Sequence, residues 1–222
     1  MKDKLGEFRL YEYWRSSAAY RLRIALNLKQ IKYTSHPVHL VKNGGEQHTD
    51  EYHALNPSEL VPTLVHDGFV LSQSLAILDY LESLVSSPSL YPKGKMEFVA
   101  RSIAHDIAVD IHPINNLRVL QYLKGELQCV DEQTQAWYRD WIQKGFQCVE
   151  ERLASLGCTE VSGFSLGNEP SIIDICLVPQ IYNAHRFHVD MTEFPIIQSI
   201  WLHANTHQAF IAALPENQDD AT

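Results

Sequence analysis

The sequence predicts a small mixed α/β domain over residues 1–85 followed by an all-α domain over residues 96–214. Three observations carry this. Two β-prone runs meet across Asp67-Gly68, the strongest short hairpin signal, and a helical apolar pattern follows at once. A strand, a helix and a second strand precede that hairpin. Beyond residue 95 the apolar residues recur at helical spacing. The 222 residues, 45% hydrophobic and 20% charged, suit a globular chain with a sizeable core. A net charge of -9 argues against nucleic acid or an anionic membrane as a general partner. The opening residues lack an apolar signal region and no apolar run approaches ~18 residues, so the expected location is cytoplasmic. The four cysteines, Cys129, Cys148, Cys158 and Cys176, all lie in the second half with no Cys-x-x-Cys pair. They are expected to be reduced and mainly structural.

In chain order, residues 8–14 are aromatic-rich and read as a strand. Arg15-Ser16-Ser17 follows, with either serine a candidate N-cap. Residues 18–29 carry Tyr20, Ile24 and Leu28 on one helical stripe, with Leu22, Ala25 and Leu26 beside it. Residues 31–40 read as a second strand, parallel to the first through a right-handed crossover. A Gly44-Gly45 turn and a short irregular helix lead to the hairpin of residues 63–66 and 69–71, which Pro62 opens. Ser72-Gln73-Ser74 then starts a helix whose N-terminal N–H groups suit a carboxylate. The order βαβ, then ββα, is the thioredoxin-like topology. Residues 86–95 read as a linker. Residues 96–125 form one helical pattern that Pro113 should kink or break. Residues 131–156 form another. Ser171 and Asp174 fit a capping box, with Asp in place of Glu, ahead of a buried helix. Phe194-Pro195 starts the next. The polar stretch 215–222 is expected to be a disordered tail.

The run Arg15-Ser16-Ser17-Ala18-Ala19-Tyr20-Arg21-Leu22-Arg23-Ile24-Ala25-Leu26 is the specific signal. With Leu55-Asn56-Pro57, Val61-Pro62-Thr63-Leu64, Gln73-Ser74-Leu75-Ala76-Ile77, Asp110-Ile111-His112-Pro113-Ile114-Asn115-Asn116-Leu117-Arg118, Cys176-Leu177-Val178-Pro179-Gln180 and Asn183-Ala184-His185-Arg186-Phe187, it resembles the zeta class of glutathione transferases. That class contains the maleylacetoacetate isomerases. The resemblance runs from about residue 10 to residue 210. It departs at Ala18, where eukaryotic members carry Cys and bacterial members do not.

The resemblance implies the glutathione transferase fold and glutathione as cofactor. It implies a cis peptide at Val61-Pro62, whose backbone pairs with the cysteinyl part of glutathione, and a Gln73-Ser74 pair for the γ-glutamyl end. It places the glutathione site on Ser16, Ser17, Ala18, Ala19, Tyr20, Arg21, Gln47, Val61, Gln73, Ser74, His112, Asn116, Leu117 and Arg118, with Gln47 on a mobile loop. Ser16, Ser17 and Arg15 are the candidate catalytic residues, and Arg15, Arg118 and Arg186 the candidates for binding a dicarboxylate, since Arg forks match carboxylates. One of Arg21 and Arg23 is expected instead to pair with an acidic residue. A free thiol has pKa ≈ 8.5, so only about 3% is thiolate at pH 7. Lowering that pKa by ~2 units, which a hydroxyl donor and a helix N-terminus both favour, gives about 25-fold more nucleophile. The implied reaction is cis–trans isomerisation of 4-maleylacetoacetate by reversible thiolate addition. Its nearest rival is the same reaction on maleylpyruvate. A general glutathione transferase and a non-catalytic, transferase-like binding protein are the rival functions. The family forms dimers, so a homodimer is expected.

Two other patterns carry less. Gly163-Phe164-Ser165-Leu166-Gly167 fits a hydrolase elbow, but loop residues rather than a helix follow it. The pairs His185/His188 and His203/His207 lack the acidic partner of a metal motif, so no metal is expected.

Overall fold

The computed structural model describes residues 5–159 and 163–221, and its chain divides into two compact units. One comprises residues 1–90 together with 207–222, the other residues 91–206.

The first unit is built on β1 (Phe8–Glu12), α1 (Ser17–Lys29), β2 (Thr34–Pro37), α2 (Asp50–Leu55), β3 (Thr63–His66), β4 (Phe69–Ser72) and α3 (Ser74–Leu84). The sheet order is β2-β1-β3-β4, with β1 parallel to β2 and antiparallel to β3. β3 and β4 pair directly across Asp67 and Gly68, both at positive φ (48° and 86°), the backbone that an Asp-Gly hairpin turn requires. The expected second strand, 31–40, is only Thr34–Pro37, at the edge of the sheet with three of its four residues exposed. α1 is buried from Ser17 through Leu26, which its two adjacent apolar stripes anticipate.

Alternation along β1 buries Phe8, Leu10 and Glu12 on one face. A carboxylate there needs a partner, and Arg23 of α1 supplies it: Arg23 Nη1 lies 2.7 Å from Glu12 Oε2, with both side chains almost fully buried. Ser35 Oγ donates to the other Glu12 oxygen at 2.9 Å. Burial pushes the Glu12 carboxyl up, and the Arg23 charge opposes it. Lys29, also fully buried, closes the far end of α1. Its Nζ donates to Glu82 Oε2 at 2.7 Å, Val85 O at 2.5 Å and Pro88 O at 3.0 Å. The peptides Val61-Pro62 and Ser87-Pro88 are cis.

The second unit is helical: α4 (Lys95–His105), α5 (His112–Ile114), α6 (Leu117–Gly125), α7 (Asp131–Ser155), α8 (Ile172–Arg186) and α9 (Pro195–Ala204). The single helix expected over 96–125 is interrupted. A π-helical segment, Asp106–Ile111, precedes Pro113, and Asn115 leaves helical geometry before α6. Proline lacks the N–H that an unbroken ladder needs there. Gly145 of α7 faces this segment, and a Cβ there would sit 2.3 Å from Ile111 Cδ1. α8 is apolar on every side and buried throughout its first ten residues. Its expected capping box forms: Asp174, fully buried, accepts from Ser171 N at 2.7 Å and Ser171 Oγ at 2.9 Å. None of the four cysteines forms a disulfide.

The stretch expected to be a disordered tail differs from that expectation. Ahead of it α10 (Gln208–Ile211) packs on α1; within it a 3-10 turn covers Pro215–Asn217, and Pro215 is buried. Thr222 lies outside the described residues.

Removing the Lys29 charge leaves Glu82 with Ser89 Oγ and Leu90 N but without its cation, and takes a donor from two carbonyls. Lys29→Met is expected to cost about 3 kcal/mol of unfolding free energy, read from the denaturant midpoint.

Candidate active site

In the first unit, the sequence-predicted residues fall at the ends of strands and the starts of helices. The turn after β1 closes through Ser16 N donating to Tyr13 O at 2.9 Å. Ser16, not Ser17, is the N-cap of α1: its Oγ accepts from Ala19 N at 3.2 Å. Ser16 is half-buried, and its own hydroxyl proton goes to no described residue. Ser17, Ala18, Ala19 and Tyr20 are buried in the first turns of α1.

Arg15 is held flat. Its guanidinium lies 4.5 Å from the Trp14 ring centroid, and its Nη2 donates to Tyr13 Oη at 3.0 Å. It forms no ion pair with a described residue, so a stacked cation is presented without an anion.

Arg21 is fully buried, and its Nη1 donates to Ser74 Oγ at 3.2 Å. The N-terminus of α3 is accordingly braced from behind by a cation. Gln73 precedes it at φ 72°, ψ 111°, a conformation sparsely populated by residues other than glycine. The Gln73 side chain does not cap the helix and no acidic residue lies in its first turn. The α3 N–H groups and Ser74 therefore form an uncapped anion seat.

The cis Val61-Pro62 peptide follows a carbonyl, that of Leu60, which is fixed twice. Tyr52 Oη donates to Leu60 O at 2.7 Å, and Asn56 Nδ2 to the same oxygen at 2.8 Å. These hold Val61, which is half-buried, at the head of β3. Gln47, expected on a mobile loop, lies in a 3-10 turn (Glu46–His48) and is buried. Its Nε2 faces His48 Nε2 at 2.9 Å, while its Oε1 is buried without a hydrogen-bond partner among the described residues.

In the second unit, Asn116 is the N-cap of α6, its side chain accepting from Arg118 N at 3.2 Å, and Arg118 is exposed. His112 and Leu117 are half-buried. Asn115 Nδ2 donates to Tyr138 O at 3.2 Å, and Trp137 Nε1 donates to Ile114 O at 3.2 Å. Tyr138 stacks on Phe187 at 3.6 Å, and the exposed Arg186 guanidinium lies over the Phe187 ring at 5.0 Å. Thus α7 anchors both the Asn115–Asn116 break and the end of α8. Neither Arg118 nor Arg186 forms an ion pair with a described residue. Burial pushes the Tyr138 phenol up, leaving it a neutral wall.

Ser165 of the hydrolase-like pattern is buried, donating to Asp174 at 2.8 Å with its N–H also on Asp174 at 2.8 Å. It braces α8 and has no nucleophile geometry. What reading the residues missed is the bracing. Arg21 behind Ser74 spans 53 positions, and its only sequence signal was an arginine within an apolar stripe.

Comparison with known proteins agrees with this arrangement. The model of the glutathione S-transferase N-terminal domain matches residues 15–84. A Vibrio cholerae protein named probable maleylacetoacetate isomerase is 52% identical over 96% of this chain and 97% of its own. The holo structure of a maleylpyruvate isomerase, described as a bacterial zeta-class glutathione S-transferase, superposes with a TM-score of 0.92 at 39% identity, over 96% of this chain and all of that one. A maleylacetoacetate isomerase of Methylobacterium extorquens AM1, with bound malonate and GSH, gives 0.90 at 34% identity, over 96% and 99%. The chain belongs to the zeta class of the glutathione transferase family.

Glycine adopts the Gln73 backbone conformation without a Cβ penalty. Gln73→Gly should therefore raise stability by about 1 kcal/mol rather than lower it, measured by urea unfolding.

Proposed function

We propose that the protein is a glutathione-dependent cis–trans isomerase converting 4-maleylacetoacetate to 4-fumarylacetoacetate, in the cytoplasmic breakdown of tyrosine and phenylalanine. The observation that carries this is the pairing, at the start of α1, of a hydroxyl that donates to no described residue with a stacked guanidinium that has no anion. The uncapped α3 N-terminus fits the same cofactor, because a γ-glutamyl carboxylate needs backbone donors.

Bound glutathione supplies a thiol that adds reversibly to a cis double bond. The protein's residues prepare it. Ser16 donates to the sulfur and favours its charged form, and the α1 N-terminus acts in the same direction. Ser74, held by Arg21, and Gln73 receive the γ-glutamyl end. Val61 presents backbone beside Pro62, and Gln47 closes that side. His112, Asn116, Leu117 and Arg118 are assigned to glutathione on the resemblance alone. Arg15, Arg118 and Arg186 are assigned to the two substrate carboxylates, and preorganised cations also stabilise charge that develops during the reaction. The absence of ion pairs with described residues at all three supports this, as does the malonate held by the Methylobacterium relative. Maleylpyruvate is the second reading, supported by the relative of TM-score 0.92.

The decisive experiment compares turnover of maleylacetoacetate and maleylpyruvate with and without glutathione. A glutathione-dependent rate favouring maleylacetoacetate is expected, with Ser16→Ala slower by up to about 25-fold near neutral pH. A preference for maleylpyruvate would reassign the substrate. No turnover of either by a protein that binds glutathione would sink the isomerase.

We also propose a homodimer. The described residues expose Phe98 (70%), Met96 (39%) and Val109 (53%) in the second unit, and Phe69 (52%) and Val70 (41%) in the first. Sedimentation should show a dimer that Phe98→Glu converts to monomer.

A further inference from the structure

Segment 207–221 packs as part of the first unit, although the polar composition of residues 215–221 gives no reason to expect order there. It is fixed internally. Asn217 Nδ2 donates to Ile211 O at 2.7 Å, and Gln218 Nε2 donates to Leu214 O at 2.7 Å and Ala212 O at 3.1 Å. It is fixed to α1 by Asn27 Nδ2, which donates to Ala209 O at 3.0 Å.

Two further fixings converge on one residue's main chain, that of Trp14, two residues before Ser16. Arg23 donates through Nη2 to Trp14 O at 2.9 Å and through Nε to Ala213 O at 3.0 Å, joining turn and segment through one guanidinium. Asp220 Oδ2 accepts the Trp14 N–H at 3.1 Å. Both polar groups of the Trp14 main chain are therefore occupied, one by the segment directly and the other through Arg23. The turn they hold is short and closed by the Ser16 N to Tyr13 O bond. A shift of Trp14 carries Ser16 with it, and also Arg15, whose guanidinium rests on the Trp14 ring. Asp220 holds this place although its charge acts, with burial as the larger cause, to push the nearby Glu12 carboxyl up. A carboxylate beside a buried carboxylate is unfavourable by itself; the Arg23 charge opposes it at Glu12, and Asp220 accepts the Trp14 N–H.

We propose that Asp220 is a positioning residue. At the end of a strap formed by residues 207–221, its carboxylate fixes the Trp14 main chain and so sets the Ser16 hydroxyl and the Arg15 guanidinium. It acts through Trp14. The inference rests on the reading of Ser16 and Arg15 given above.

The test uses the full chain, Asp220→Ala, Asp220→Asn and a chain stopped after Gln218. In each, kcat, the glutathione KM, the melting temperature and amide hydrogen exchange at residues 13–17 are measured. Asp220→Ala and the shortened chain should lose roughly tenfold in kcat, because small misplacements of a reacting site are costly. The glutathione KM should change less than about twofold, since the α3 seat is untouched. Asparagine keeps an oxygen acceptor for Trp14 N–H, so Asp220→Asn should recover most of the rate. An unchanged kcat in Asp220→Ala, with or without a lowered melting temperature, would overturn the proposal. So would an Asp220→Asn variant as slow as Asp220→Ala, because the hydrogen bond would then not be the cause. If the wild-type chain itself turns over neither substrate, the isomerase reading has failed. Exchange then decides the strap alone: faster exchange at residues 13–17 in Asp220→Ala upholds it, and unchanged exchange overturns it.

Discussion

The first unit depends on a buried ion pair. Glu12 occupies an inward position of β1, where alternation would put an apolar residue, and Arg23 meets it from α1 at 2.7 Å. A buried pair of this kind is not favourable merely by existing, since both charges are desolvated. Its worth lies in the other hydrogen bonds that satisfy it. Arg23 directs its remaining donors to Trp14 O and Ala213 O, and Glu12 turns its second oxygen to Ser35. One charge pair thus ties the sheet edge, the strand–helix turn and a segment 190 positions away. An apolar pair would fill the same volume and tie none of them.

The chemistry of that unit follows from two helix starts, held differently. α1 has an N-cap serine that accepts from its own helix and keeps its proton for another acceptor. α3 lacks a cap and begins from a strained residue, with a buried arginine behind its first hydroxyl. The strain at Gln73 is tolerated because strand β4 and helix α3 fix both sides of it. In each case the helix terminus stays available to a ligand because no internal group has been allowed to satisfy it fully.

Much of this was legible locally. Asp67-Gly68 set the hairpin, Ser171 with Asp174 set a helix start, and Pro113 marked an interruption, because each acts through bonds within a few residues. The run from Arg15 to Leu26 placed the site at a strand–helix junction. The interruption before Pro113 was legible, but not its π-helical form, which depends on packing against Gly145 of α7. β2 came out shorter than the expected 31–40, an edge strand that ends at Pro37, which has no N–H for the ladder. Gln47 is buried by a turn whose geometry rests on Gly45 at φ 103°. The polar stretch after residue 214 read as disordered because composition records only the absence of a core. It is held by Trp14 N on Asp220, and Arg23 holds Ala213 just ahead of it, partners that no local window contains.

The distribution of sulfur has a consequence for redox behaviour. All four cysteines lie between residues 129 and 176, so the first unit holds no thiol of its own, and position 18 carries a methyl group. Oxidised glutathione arriving there meets no sulfur of that unit with which to exchange. Of the thiols in the other unit, Cys176 is buried, and burial pushes the Cys158 thiol up while its Sγ donates to Ser165 O. Both are slow to form the thiolate that exchange requires. A shift of the cellular glutathione pool toward disulfide would therefore starve the first unit's site of its cofactor without modifying a thiol there, and the exposed Cys148 and half-buried Cys129 are the thiols left open to exchange.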